Sequence, residues 1–253
     1  MKTIKIITAG PLVKAAIYPR ARGGEAPKVR AAKKKLSSAA QKLMNAKYQK
    51  EKLEMLVAAN FSPRDLWVTL TFRDADLPDC EAQVNACMKA FLRALRKQRG
   101  RKLPPVVIWR AEHKHRDETD RLQDARWHVH LFLNASGDDY DTIRSCWPYG
   151  DDIHIEKIVV DKEHSYAQLA AYLVKEPLDR SGAHAWHATR NLRKPEVEII
   201  PAEDDAQLQT PKGCTVIERC EQQNEFGAYR YVKYLTPFGA RRTSPTARRR
   251  RKR

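Results

Sequence analysis

No stretch of this chain approaches the roughly 18 to 20 consecutive apolar residues that a membrane-spanning helix needs. The opening segment, Met1 to Gly10, has too short an apolar run for a signal peptide. Cys80, Cys87, Cys146, Cys214 and Cys220 are scattered without C-x-x-C spacing, which argues against a zinc ribbon and against a disulfide framework. A cytosolic protein with reduced thiols is the expectation. A Gly-rich phosphate loop of the helicase type is missing, and so is any internal repeat. Acidic residues are also short: 31 Asp and Glu face 48 Lys and Arg, leaving a formal charge of +17 on 253 residues. That excess points to a polyanionic partner, nucleic acid first and an anionic membrane surface second.

What is present reads as one large domain with appendages. Residues 1 to about 30 mix basic residues with Pro11, Pro19, Pro27 and Gly23-Gly24, which predicts little regular structure. A helix runs from about Val29 to Ala59, with Leu36, Leu43, Met44, Tyr48, Leu53 and Leu56 at helical spacing. Leu66 to Phe72 is a strand with Thr69 and Thr71 on one face. Glu81 to Gln98 is an amphipathic helix, with Val84, Met88, Phe91, Leu92 and Leu95 as its buried stripe and basic residues crowding its end. Val106 to Glu112 and Arg126 to Leu133 are strands joined by a charged loop, so an antiparallel hairpin is expected. A short helix from Asp139 to Trp147, a strand from Ile153 to Val160, and a helix capped by Ser165 and stopped by Pro177 complete the order β-α-β-β-α-β-α. This predicts an α+β fold, an antiparallel sheet with helices on one face. Beyond it lie a strand at Glu196 to Ile200 and a hairpin with arms at Thr215 to Glu221 and Tyr229 to Leu235. The tail, Arg241 to Arg253, carries eight of the positive charges and no acid, and reads as a disordered arm.

The chemistry centres on Arg126-Trp127-His128-Val129-His130-Leu131-Phe132-Leu133. Side chains alternate along a strand, so His128 and His130 share a face while Val129, Leu131 and Leu133 point to the core. Two imidazoles side by side are half of a divalent-metal site. The plain alternative is a pair of polar residues on a solvated face. Glu112, at the end of the preceding strand, is the natural third ligand if it faces the same side as Ile108 and Arg110. Two His and a carboxylate suit Mg²⁺ or Mn²⁺ with phosphate oxygens, and also fit Zn²⁺. In the helix after Ser165, Tyr172 and Lys175 are three apart and share a face. A phenol can attack phosphorus when a metal polarises the phosphate, and a neighbouring ammonium offsets the charge.

Three motifs then carry a resemblance. Val68-Thr69-Leu70-Thr71-Phe72, His128-Val129-His130 and Tyr172-Leu173-Val174-Lys175 resemble, in that order, the first strand, the metal-binding His-hydrophobic-His and the catalytic Tyr-x-x-Lys helix of HUH endonucleases. Within them, the chain is most similar to the single-tyrosine replication initiators of phages and rolling-circle plasmids. Trp186 to Pro195 resembles the segment after that helix in the filamentous-phage-like members, and the likeness covers about residues 55 to 200. The resemblance implies an HUH, RRM-like nuclease domain over residues 61–200. A basic segment and helix (1–60) would precede it, with a β-hairpin appendage (201–240) and a basic tail (241–253) on its C-terminal side. It also implies that Glu112, His128 and His130 hold Mg²⁺ or Mn²⁺. Tyr172 would attack single-stranded origin DNA to form a 5′-phosphotyrosine link, and Lys175 would compensate charge. The partners implied are that DNA and a host helicase and polymerase, in a bacterial cytoplasm. Some relatives use two tyrosines four apart, whereas Tyr166 and Tyr172 are six apart, roughly 240° around a helix, so one nucleophile is expected.

Other residues suggest weaker roles. Arg190, Arg193 and Lys194 form a cluster for DNA phosphates. Trp127 and Trp186 offer stacking surfaces for unpaired bases, or core packing. His184 and His187 are three apart in an irregular region. Alternatives to the initiator are a relaxase or transposase of the same superfamily, a nuclease that uses water, and a basic nucleic-acid-binding protein without catalysis.

Overall fold

A computed structural model describes residues 2–19, 39–116, 121–160, 165–174, 185–224 and 227–237. Its elements in chain order are β1 (Lys2–Ala9), β2 (Leu12–Pro19), α1 (Ala39–Asn60), β3 (Leu66–Thr71), α2 (Glu81–Arg99), β4 (Val107–Arg116), β5 (Leu122–Leu133), α3 (Asp139–Cys146), β6 (Ile153–Lys157), α4 (Ala167–Leu173), β7 (His187–Ala188), β8 (Glu196–Ala202), β9 (Thr215–Asn224) and β10 (Gly227–Leu235). The α+β expectation holds: two antiparallel sheets and four helices are present among the described residues. The chain divides into two units, one of Met1–Ala59, Asp161–Ser165 and Lys194–Arg253, the other of Asn60–Val160 and Tyr166–Arg193.

In the first unit the strand order is β8-β1-β2-β10-β9. The N-terminal residues therefore correct the expectation of little regular structure. They form a hairpin closed at Gly10, whose φ of 56° is a left-handed conformation that glycine adopts without strain. Ile4, Ile6, Val13, Ala15, Ile17, Val232 and Tyr234 pack one face. Across the other, Lys14 pairs with Glu51 and Lys233 with Glu54, both acids on α1. Burial raises the Glu54 carboxyl above its ordinary range, and Lys233 opposes that rise. The predicted apolar stripe of α1 is only partly used: Leu53, Met55, Val57 and Ala58 are buried, whereas Leu43, Met44 and Tyr48 are exposed. Residues 29–38, the expected start of that helix, lie outside the described residues, as does the basic tail.

In the second unit the order is β6-β3-β5-β4-β7. One face is apolar because every second residue of each strand is: Leu66, Val68 and Leu70, then Val129, Leu131 and Leu133, then Val107 and Trp109. The stripe Val84, Met88, Phe91, Leu92 and Leu95 of α2 packs there, with Ile143, Cys146 and Trp147 from α3 and the turn after it. The Trp147 indole N–H donates to the Thr71 carbonyl at 2.8 Å, fixing that end of β3. Helices on one face describes α2 and α3. The helix α4 instead sits on the opposite face, where Arg110 Nη1 donates to the Leu173 carbonyl at 3.2 Å. The expected charged loop after Glu112 is also shorter than predicted, since β4 continues to Arg116 and β5 begins at Leu122, with a register shift between Glu112 and Lys114.

Candidate active site

The face turned away from α2 is a grid of paired side chains. Thr69, His130 and Arg110 lie in one row across β3, β5 and β4; Thr71, His128 and Glu112 lie in the next. Period-2 alternation and the antiparallel register together place a carboxylate beside two imidazoles. His128 Nε2 is 3.9 Å and His130 Nε2 is 3.8 Å from Glu112 Oε2. The three donor atoms lie within 4.8 Å of one another.

The hydrogen bonds behind the imidazoles decide what their front nitrogens offer. His128 Nδ1 is 2.9 Å from the Arg126 carbonyl, which only accepts, so Nδ1 carries a proton and neutral His128 presents a lone pair on Nε2. His130 Nδ1 is 3.0 Å from Thr69 Oγ1. Such outer contacts orient metal-bound histidines. A lone pair on Nε2 facing a carboxylate oxygen is favourable with a cation between them. Ligands of one ion with bonds of about 2.1 Å stand roughly 3.0 to 3.4 Å apart, so small χ rotations close the observed separations. The donor set therefore fits a divalent ion. Glu112 and His130 are 3% and 5% exposed, so little water competes for them.

Arg110 is buried beside Glu112, its Nε 3.8 Å from Oε1. The same guanidinium holds the Leu173 carbonyl, next in sequence to Tyr172. Tyr172 itself stacks edge-on against His130, with centroids 5.2 Å apart, and against Trp67 at 5.5 Å. It is 46% exposed, so its ring lies on the metal ligands while the side chain remains open to solvent. Tyr166 is different. It is fully buried, its hydroxyl donates to the Phe61 carbonyl at 3.1 Å, and burial with Asp65 nearby pushes its phenol well above the usual range. A phenol so hard to ionise is a packing group.

The structure thus brings together Glu112, His128, His130 and Tyr172. Lys175 lies outside the described residues, as does His184. Arg190 and Arg193 are exposed on the segment after β7. The Arg193 backbone is held there by a reciprocal pair of bonds with the Asn60 amide, at 2.8 and 2.9 Å. Lys194 is exposed and belongs to the other unit. His187 is on the opposite sheet face, stacked on Trp109 at 5.3 Å and 3.6 Å from Glu81, away from the triad. Trp127 stacks on His113 at 4.1 Å and is partly buried. Ser165 does not cap α4; it adopts a φ of 56° and the residue before the helix is Tyr166, with no side-chain cap.

Two residues escaped the sequence reading as parts of the site, Trp67 and Arg110. Trp67 stacks on His130 at 5.4 Å and 17°, forming the wall opposite Glu112. Its signal was available, since it alternates in phase with Thr69 and Thr71. All five cysteines are free of disulfides, and no helix among the described residues is long and apolar enough to cross a membrane.

The model of the replication-associated protein ORF2 family matches residues 65–177, somewhat under half of the chain. No curated protein and no solved structure matches. The matched span begins just before β3 and ends just after α4, so it encloses every residue of the grid and Tyr172. The segment that carries Glu112, His128, His130 and Tyr172 is thus the part of this chain that belongs with the replication-associated proteins of that family.

Proposed function

We propose that this protein starts replication by nicking and rejoining single-stranded origin DNA, with Tyr172 as nucleophile and Glu112, His128 and His130 as ligands of Mg²⁺ or Mn²⁺. The observation that carries the reading is the ring of Tyr172 lying on the imidazole of His130. A bound divalent ion would polarise the scissile phosphate oxygens. The Tyr172 oxygen forms a bond to phosphorus and gives up its proton, and the bond from phosphorus to the 3′ oxygen breaks. The 3′ oxygen takes a proton and is left as a free hydroxyl able to prime synthesis. Rejoining is the same step reversed, the 3′ hydroxyl displacing the tyrosine. Arg110 serves the step twice. It offsets the charge of Glu112, so that an ion leaves the site with a surplus of about two positive charges for a phosphodiester and a phenolate. It also anchors the end of α4, and so the position of Tyr172. Lys175, one helical turn on, compensates charge on the phosphate. Arg190, Arg193 and Lys194 hold DNA backbone, and unwinding and synthesis come from a host helicase and polymerase in a bacterial cytoplasm.

The test is incubation of labelled single-stranded origin DNA with the protein and Mn²⁺ or Mg²⁺, resolved on a denaturing gel. A shifted, metal-dependent covalent band is expected, absent in Tyr172→Phe and in His128→Ala. Cleavage without a protein-linked band would replace tyrosine with water as the nucleophile. Binding with neither cleavage nor adduct would leave a non-catalytic DNA-binding protein.

A further inference from the structure

The apolar stripe of α2 faces the sheet, so its outward side is set by the remaining positions. Lys89, Arg93 and Lys97 occupy i, i+4 and i+8 there, with Arg96 beside them, and all four are exposed. Gly100 ends the helix at a φ of 69°, turning Arg101 and Pro104 back toward the last turn. The result is a groove lined by Arg93, Arg96, Lys97, Gly100, Arg101 and Pro104, with a volume of about 570 Å³.

Three features separate this groove from an ordinary basic surface. A helix C-terminus explains cations in its last turn, but Lys89 and Arg93 lie before it. Neighbouring Arg99 shows what structural use looks like: it bonds Asp139 at 2.7 Å and the Asn134 carbonyl at 2.8 Å. No such ion pair engages Arg93, Arg96, Lys97 or Arg101 among the described residues. Finally, like charges at i, i+4 repel along a helix, so the row is unfavourable for α2 by itself.

We infer that this groove binds the phosphate backbone of double-stranded DNA, separately from the single strand at the histidine face. The inference rests on the nicking proposal only for the role of that single strand. The lining contains neither an acid nor an aromatic ring. Unpaired strands are held largely by stacking on aromatic side chains, which the histidine face offers in Trp67 and Tyr172 and the groove lacks. Lys89 to Lys97 spans about 12 Å at 1.5 Å per residue, room for three or four phosphates of one strand at 3.4 Å each. A duplex held behind the sheet anchors the protein while a flanking single strand reaches Tyr172 on the other side.

The experiment uses the full chain in EDTA, so that nicking plays no part. Anisotropy of a labelled duplex and of a labelled single strand is titrated from 50 to 200 mM salt. Arg93→Gln/Arg96→Gln/Lys97→Gln/Arg101→Gln is compared with wild type and with Lys47→Gln/Lys50→Gln/Lys52→Gln on α1 as a charge control. The groove variant should reduce the duplex salt slope by up to about 3.6, at 0.9 per lost phosphate contact, while single-strand binding and adduct formation on a short oligonucleotide remain. An unchanged duplex slope overturns the inference. So does an equal loss for both DNAs, or an equal loss in the control. Absence of any adduct in wild type would sink the nicking proposal and leave the duplex result standing.

Discussion

Arg110→Met is the most informative single change at the site. It keeps the length of the side chain within the sheet but removes the donor to the Leu173 carbonyl and the positive charge beside Glu112. A hydrogen bond from a charged group contributes about 1.5 to 3 kcal/mol. If all of it serves to hold Tyr172 in place, its loss slows the attack roughly 10- to 150-fold at 1.36 kcal/mol per decade. The assay is the single-turnover rate of adduct formation at saturating Mn²⁺, read beside three controls. Single-strand affinity in EDTA should stay within about twofold, because Arg110 is buried behind the ligands. Calorimetric Mn²⁺ affinity should hold or rise, since a neighbouring cation has been removed from the carboxylate. Amide exchange should quicken selectively in the last turn of α4, where the Val174 N–H donates to the Ala170 carbonyl at 3.2 Å. Arg110→Lys, which restores charge but not the fork, should fall between. A wild-type adduct rate in Arg110→Met, or a slow rate with α4 protection intact, would refute the positioning argument.

Tyr166→Phe should keep adduct formation while costing about 1 kcal/mol of stability, measured by urea denaturation, for the lost hydroxyl bond to the Phe61 carbonyl. Asp139 gives a pH signature. Burial raises its carboxyl, but the Ser136 hydroxyl, the Ser136 and Gly137 amides and Arg99 outweigh that and hold it below 3.8. Its contribution is therefore present above the unfolded value and lost as pH falls through the lower folded one. The melting temperature of Asp139→Asn should lie several degrees below wild type at pH 7, and the gap should shrink only below about pH 4; a gap that is constant with pH contradicts this. Gly10→Ala should cost about 2 kcal/mol or more in denaturation, because the residue has a positive φ and a Cβ there would stand 2.2 Å from the Ala58 carbonyl oxygen.

The parts of the fold legible in the sequence are those whose pattern is local. The stripe of α2 repeats at helical spacing and β5 alternates without interruption, so the bounds of both are readable to within a few residues. Those of the β1–β2 hairpin are not. Lys2, Lys5 and Lys14 interrupt its apolar positions, Ala15 and Ala16 have little strand propensity, and Gly10-Pro11 reads as punctuation. What makes these residues strands is pairing with β8 and β10, at the far end of the chain, a long-range context that no window contains. The exposed start of α1 is a related case: Leu43, Met44 and Tyr48 keep the helical period of Leu53 and Val57, but period says which residues share a face and not how far the cover extends. Glu112 was reachable because an antiparallel hairpin fixes who stands opposite whom. Arg110 was not, since its partner is a backbone carbonyl on α4 and carries no sequence signal.

The metal triad and the core are therefore one specification. The ligands occupy alternate positions of β5 and a paired position of β4, while Val129, Leu131 and Leu133 occupy the positions between. A slip of β5 by a single residue would turn both histidines into the core and three apolar side chains out to solvent. The hydrophobic pattern thus fixes the register that the chemistry needs, and α2 defends the histidines from the far side of the sheet without touching them. Tyr172 is built on the opposite plan: a seven-residue helix, half-exposed, held by one guanidinium and ring contacts. Ligands of an ion must not move. A nucleophile that takes on a DNA end and later gives it back needs an open side, and the exposed flank of Tyr172 supplies one.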